Sequence, residues 1–147
     1  MSGQAAKAPW HYWAVAVVSS VWNGFGGVDY TMTKLRNLDY LTKAAGSRAE
    51  AERMLAVIDA FPVWATTLWA LGVWGSVLGS VLLLVRSRHA VAAFFVSLVS
   101  AAASFAYQFA AGSMHVGKDW LMTVIILGAV VFFWWYARAS AARGLLR

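Results

Sequence analysis

The stretch that decides the fold is 62–111. It reads PVWATTLWALGVWGSVLGSVLLLV over 62–85, RSRH over 86–89, and AVAAFFVSLVSAAASFAYQFAA over 90–111. Neither apolar run contains Asp, Glu, Lys or Arg. The hydrocarbon core of a bilayer is about 30 Å thick and takes about 20 helical residues to cross. A single charge at the centre of such a helix costs about 2.5–3.5 kcal/mol on the insertion scale, so a charge-free run of this length is itself a physical signature. The four polar residues between the runs leave room only for a tight turn. Two antiparallel membrane helices follow.

Working outward, two more runs of the same kind flank this hairpin, at 12–28 and 120–137, and neither carries a charged side chain. Lipid offers no hydrogen bonds to the backbone, which selects helices over open strands, and the period-two alternation of a β-barrel is absent. The expected fold is all-α: a single domain over 1–147, an integral membrane four-helix bundle with a short amphipathic helical segment between helices one and two. Composition agrees. Hydrophobic residues make up 61% and charged residues 12% of the chain, against about 25% charged in soluble domains. Nine Trp and five Tyr suit the two membrane–water boundaries. No small-x-small site follows the first run, so it is read as a retained span rather than a cleaved leader.

The segment 31–61 is the one sizeable region outside the expected spans. Met32, Leu35, Leu38 and Leu41 recur every three residues with charges between them, which predicts a short amphipathic helix ending at Gly46. Ser47 stands three residues before Glu50, a capping-box spacing. A second helix follows with Ala51, Met54, Leu55 and Ile58 on one face. Asp59 is expected to cap the next helix and Pro62 to occupy its first turn. Such a segment can be an interfacial anchor, a lid or a docking surface.

With four spans both termini share one side, together with Lys7, Arg86, Arg88, Arg138, Arg143 and Arg147. Lys34, Arg36, Lys43, Arg48, Arg53 and Lys118 fall on the other, with all the acids: Asp29, Asp39, Glu50, Glu52, Asp59 and Asp119. The cation counts tie, but Arg86 and Arg88 sit directly at helix ends in a very short loop, where the positive-inside rule acts most strongly. Both termini are therefore expected in the cytoplasm. The net charge of +6 is read as membrane orientation, and nucleic acid is not an expected partner.

Small residues let membrane helices approach closely. Gly72, Ser76 and Ser80, with Gly75 and Gly79, are expected to pack against Ala93, Ser97 and Ala101 and against Ser100 and Ser104. The bulkier fourth span is expected to face lipid.

Chemistry is scarce. The absence of Cys excludes disulfides, thiolate metal sites and a thiol nucleophile. The spacing from Gly112 to Lys118 imitates a phosphate loop, but Asp119 stands where Ser or Thr must bind Mg²⁺, and no strand precedes it. His115 and Asp119 are too few to hold a metal, and the scattered histidines form no triad with a serine and an acid. No metal, cofactor or catalytic residue is expected, and the chain is not read as an enzyme. The candidate ligand-binding residues are Trp22, Asn23, Asp29, Tyr30, Trp64 and Trp69. Asn23 lies about 9 Å inside the first span, fit either for a bond to another helix or for a ligand. Gly24, Gly26 and Gly27 beside it fit either a loosened helix or close packing. Deep indoles such as Trp22, Trp69 and Trp74 need a partner for their N–H groups; they fit either a packed interior or an apolar pocket.

Two runs carry a family resemblance. Trp22-Asn23-Gly24-Phe25-Gly26-Gly27-Val28-Asp29-Tyr30-Thr31 is one. Phe61-Pro62-Val63-Trp64, followed by 69–75 and 79–84, is the other. They resemble a group of small, uncharacterised four-helix bacterial inner-membrane proteins with a W-N-x-x-G-x-x-x-Y-like end to helix one and an F-P-x-W start to helix two. Members are sometimes labelled sugar transporters. The resemblance covers most of 22–111, and implies an inner-membrane location and four helices; it supplies no binding or catalytic residues.

Two functional expectations remain. The first is a small multi-pass inner-membrane protein that packs with itself or serves as accessory subunit of a larger membrane complex, with the lipid bilayer as its other partner. The alternative is a transporter or binder of a small solute or lipophilic ligand.

Overall fold

The computed structural model describes residues 6–114 and 118–147. Among them the chain is all-α, with six helices: α1 (Trp10–Lys34), α2 (Leu38–Ala45), α3 (Arg48–Asp59), α4 (Val63–Leu84), α5 (His89–Ala110) and α6 (Lys118–Ala142). His115, and with it the spacing that imitates a phosphate loop, lies outside the described residues.

Among the described residues three helices are long and apolar enough to cross a membrane: Val63–Leu84, His89–Ala110 and Asp119–Ala142. That fits a multi-pass membrane protein. The expected first span is a helix too, and at 25 residues it is long enough, but it does not reach the same apolarity. Ser19, Ser20, Asn23, Gly24, Gly26 and Gly27 dilute it. Those glycines neither loosen nor end α1, which continues to Lys34.

The long helices pack antiparallel in the order α1, α4, α5, α6. On α1 the buried positions Tyr12, Ala16, Ser19, Asn23 and Gly27 recur at intervals of three and four, the stripe of a helix packed along one side. The stripe lies on α4: Tyr12 donates to the Leu83 carbonyl, Ser19 meets Ser80 at 2.6 Å, and Gly27 lies against Trp74 and Val77.

The α4–α5 contact is the closest. A Cβ added at Gly72 would stand 3.3 Å from the Ala101 backbone, one at Gly75 3.1 Å from Ser97 Cβ, and one at Gly79 2.8 Å from the Phe94 ring. Ser97 donates to the Gly72 carbonyl at 2.6 Å. Between helices in lipid the driving force is close van der Waals contact and hydrogen bonding rather than exclusion of water, so these glycines set the approach. One expectation is corrected. Ser80 does not join the α4–α5 seam; it lies one helical step around α4 and faces α1.

The segment 35–61 differs in detail from its reading. The three-residue recurrence from Met32 to Leu41 is not one helix. Met32 belongs to α1, the chain turns at Arg36 (φ 56°), and Asn37 caps α2 by accepting from the Tyr40 amide at 3.0 Å. Gly46 ends α2 in the left-handed region at φ 89°, and Ser47 caps α3 at the Glu50 amide. α2 and α3 then fold on each other through Leu41, Ala51 and Leu55. Asp59 does not cap α4. It ends α3 and pairs with Arg36 at 2.8 and 3.0 Å, and Pro62 occupies the N-cap of α4.

All four long helices stop in the same way. After α1 the amides of Arg36 and Asn37 bond back to Thr33 and Met32; after α4 those of Arg86 and Ser87 bond to Leu83 and Leu82; after α5 those of Gly112 and Ser113 bond to Phe109 and Gln108; after α6 those of Gly144 and Leu145 bond to Ala141 and Ser140. This is the double-bonded helix stop whose left-handed position favours glycine. Two of the four positions hold arginine instead, at φ 56° for Arg36 and 61° for Arg86, a conformation that costs an L residue about 1 kcal/mol.

Candidate functional site

Three polar residues inside the long helices, Ser19, Asn23 and Ser80, are drawn together in one place. Asn23 is buried and its amide donates to Ser80 Oγ at 2.8 Å. The single proton of Ser80 has the Ser76 carbonyl at 2.9 Å and the Ser19 carbonyl at 3.2 Å as acceptors, so with that proton on either carbonyl Ser80 Oγ accepts in the short contact with Ser19 Oγ. Ser19, Asn23 and Ser80 thus form a satisfied seam between α1 and α4. Among the described residues no buried side-chain polar atom lacks a hydrogen bond, as is required where water cannot substitute. Trp22, next to Asn23 in sequence, points the other way and is 42% exposed on the outer face of α1.

Tyr30 and Trp69 are brought together near the end of this seam. Their ring centroids lie 4.6 Å apart, and Trp74 adds an edge contact to Tyr30 at 6.0 Å. One turn after Tyr30, Lys34 places its ammonium 5.9 Å from the Tyr30 ring and 5.6 Å from the Trp69 ring. This is a cation–π arrangement. Asp29 lies beside this group but turns to α2, accepting from the Tyr40 hydroxyl at 3.0 Å. Burial, and then that bond to the Asp29 carboxylate, hold the Tyr40 hydroxyl above its ordinary pKa, so it stays a neutral donor. Trp64 stands apart, edge-on to Tyr107 at 4.8 Å, with Phe61 against the same ring. The six candidate residues therefore fall into separate groups, and only Tyr30 and Trp69 touch.

A cleft of about 290 Å³ opens beside Lys34, where α1, α3 and α4 converge; Thr33, Arg36, Ile58, Asp59 and Thr66 contribute to its walls. The Asp59 carboxylate, by hydrogen bond and by charge, holds the Arg36 guanidinium above its ordinary pKa. Arg36 is thereby occupied, which leaves Lys34 as the cation of this cleft without an ion pair among the described residues.

The opposite end of the molecule is closed. Tyr12, Ala16, Leu83, Ala90, Phe94, Phe133 and Ala137 form a core there, and Leu145 and Leu146, beyond α6, fold back into it. Arg86 binds this end together: its side chain donates to the Leu145 carbonyl at 2.8 Å and to the Ala6 carbonyl at 2.6 Å. The backbone of Arg147 pairs with the α4–α5 turn, receiving from the Arg88 amide at 2.8 Å and giving to the Arg86 carbonyl at 2.7 Å. α1 and α6 meet here as well, through His11 and Tyr136 at 3.0 Å.

Sequence reasoning did not find Ser19 and Ser80 as partners of Asn23, Lys34 as the partner of Tyr30, or Arg86 as a cross-link. The first two carried a signal: Ser19 lies four residues before Asn23 and Lys34 four after Tyr30, so each pair shares a helix face. The reach of Arg86 to Ala6 and Leu145 depends on tertiary packing and left none.

No family model matches the chain, nor does any curated protein or solved structure.

Proposed function

We propose that the chain is a four-pass protein of the bacterial inner membrane, both termini cytoplasmic, that acts by helix packing with a second copy or as accessory subunit of a larger membrane complex. The location follows the family resemblance. The fourth pass is α1, whose polar stripe is covered by α4 while its outward face is apolar: Val17, Val18, Val21, Phe25 and Val28 are all exposed.

The observation that carries the reading is a contrast among glycines. Gly72, Gly75 and Gly79 are filled by α5, whereas a Cβ at Gly24 or Gly128 would meet nothing within 4 Å. Gly24 lies between Val17, Val21 and Val28 and one turn after Ser20; Gly128 lies between Val124, Ile125, Val131 and Phe132 on exposed α6. Each is a notch in an apolar membrane face, and the Ser20–Gly24 pair has the small-xxx-small spacing through which membrane helices associate. The test is energy transfer between labelled copies in bilayers at falling protein-to-lipid ratio. Association that Gly24→Leu weakens while the thermal unfolding midpoint holds supports the reading. Monomers at every ratio, with no co-purifying chain, overturn it.

The Lys34 cleft favours a second reading, a binder of a small solute. An ammonium beside a cleft walled by Thr33, Thr66 and Phe61 suits a small solute that carries an anionic group. Trp fluorescence that stays unchanged across sugars, carboxylates, quinones and lipids would discard it.

A further inference from the structure

The charges of this molecule are distributed unequally. The loop end holds Lys34, Arg36, Lys43, Arg48, Arg53 and Lys118, and equally many acids. There Arg36 pairs with Asp59, Arg48 with Glu52, and Arg53 with Glu50. The terminal end holds Lys7, Arg86, Arg88, Arg138, Arg143 and Arg147 and no Asp or Glu side chain. The whole net charge of +6 therefore sits at one end.

Those cations are held in place rather than merely listed together by sequence. The Arg86 bond to Ala6 brings Lys7 to the α4–α5 turn, and the backbone pairing of Arg147 with Arg86 and Arg88 brings three arginines side by side. Gly144 turns the chain at φ 69° directly after Arg143. Arg138 stacks on Trp134, its guanidinium 5.2 Å from the ring. The side chains of Arg88, Arg143 and Arg147 are exposed and make no ion pair among the described residues. Trp10, Trp13 and Trp135 are exposed around the same end, at the depth where indoles meet headgroups. Like charges gathered at fixed positions repel one another unless an anion is supplied. At a membrane surface the anion that fits such a cluster is a lipid phosphate.

We infer that the terminal end, through Arg88, Arg143 and Arg147 around the Arg86 cross-link, is a docking surface for anionic phospholipid headgroups of the leaflet on that side. This rests on the membrane-spanning reading above. Arg86 is a positioning residue; the other three carry the contact.

The test uses the full chain in bilayer discs made of phosphatidylcholine with a minority of phosphatidylglycerol, followed by detergent release and mass spectrometry of retained lipid. The wild-type chain is expected to enrich phosphatidylglycerol about tenfold over its share of the disc. Arg88→Gln, Arg143→Gln and Arg147→Gln together should remove most of that enrichment, and the three corresponding Lys substitutions should keep most of it. Lys43→Gln, Arg48→Gln and Arg53→Gln together, at the loop end, should leave it intact. If the Gln variant does not fold, the wild-type chain serves: raising salt from about 0.1 to about 1 M shortens the screening length from about 10 to about 3 Å and should abolish the enrichment. Equal retention of both lipids by the wild-type chain, or equal loss in the loop-end variant, overturns the inference. A chain that enters the disc but is indifferent to lipid charge sinks only this inference; one that does not enter sinks the membrane-spanning reading as well.

Discussion

The two ends of the molecule hold together by different means. At the terminal end the helices converge on an apolar core around Phe94, Phe133 and Leu83, the tail residues Leu145 and Leu146 fill it, and Arg86 bonds three parts of the chain. At the loop end contacts are local: Tyr40 with Asp29, Arg36 with Asp59, Lys34 over two rings, and two separate aromatic groups, Tyr30 with Trp69 and Tyr107 with Phe61 and Trp64. The small Leu41–Ala51–Leu55 cluster holds only the α2–α3 hairpin to itself. Exposed ion pairs contribute about 0–1 kcal/mol each, whereas a filled core resists the change of a single methylene. The filled core and the net charge are thus concentrated at one end, and a cleft and balanced charge at the other.

The comparison can be broken most severely at Gly79. Gly79→Leu drives a side chain into the Phe94 ring, and a loss of about 3 kcal/mol, the upper range for overpacking, is expected in reversible unfolding. Gly24→Leu, the same change on an open face, should cost the folded chain almost nothing. Next comes Arg86→Ala, which removes charged hydrogen bonds to two carbonyls and should cost about 2 kcal/mol. Arg86→Gly sharpens the point: relief of the left-handed backbone returns about 1 kcal/mol of that loss, so glycine should be the milder substitution. Asn23→Leu, in the seam between the two ends, should cost about 0.6 kcal/mol, the average of interhelical hydrogen bonds in membranes. A similarly small effect is expected from Arg36→Gly, where the lost ion pair is exposed and the backbone is relieved. Its unfolding midpoint should match the wild type, while hydrogen exchange in α2 and α3 should quicken. A large loss there would show that the loop end is as tightly built as the terminal one.

The same contrast explains what could be read in advance. α4 and α5 were legible because a charge-free run flanked by Arg86 and Arg88 has one physical solution in lipid, and Gly75 and Ser97 announced their own contact by size. Gly46 and Ser47 marked helix ends through local backbone chemistry. The break at Arg36 was hidden because arginine stands where glycine is the usual signal, and its side chain pairs with Asp59, twenty-three residues away. The direction of Ser80 was hidden for a related reason. A small polar residue on α4 suits either neighbour, and only the position of Asn23 on α1 decides between them. The candidate site was legible in parts: Tyr30 and Trp69 meet, but periodicity carries no information on which helix faces which, and so could not separate Trp22 from Asn23.

α1 is the helix on which the two-ended arrangement turns, being less apolar than the other three long helices. The chain contains no cysteine, so single cysteines can be introduced into an otherwise silent background at Lys7, Ala49 and Ala142, all exposed. Labelling with a membrane-impermeant maleimide in sealed membrane vesicles of known orientation then reports the side of each. A four-pass chain gives Lys7→Cys and Ala142→Cys reacting from the cytoplasmic face and Ala49→Cys from the opposite face only. If Lys7→Cys and Ala49→Cys react from the same face, α1 does not cross the bilayer and the arrangement described here is wrong.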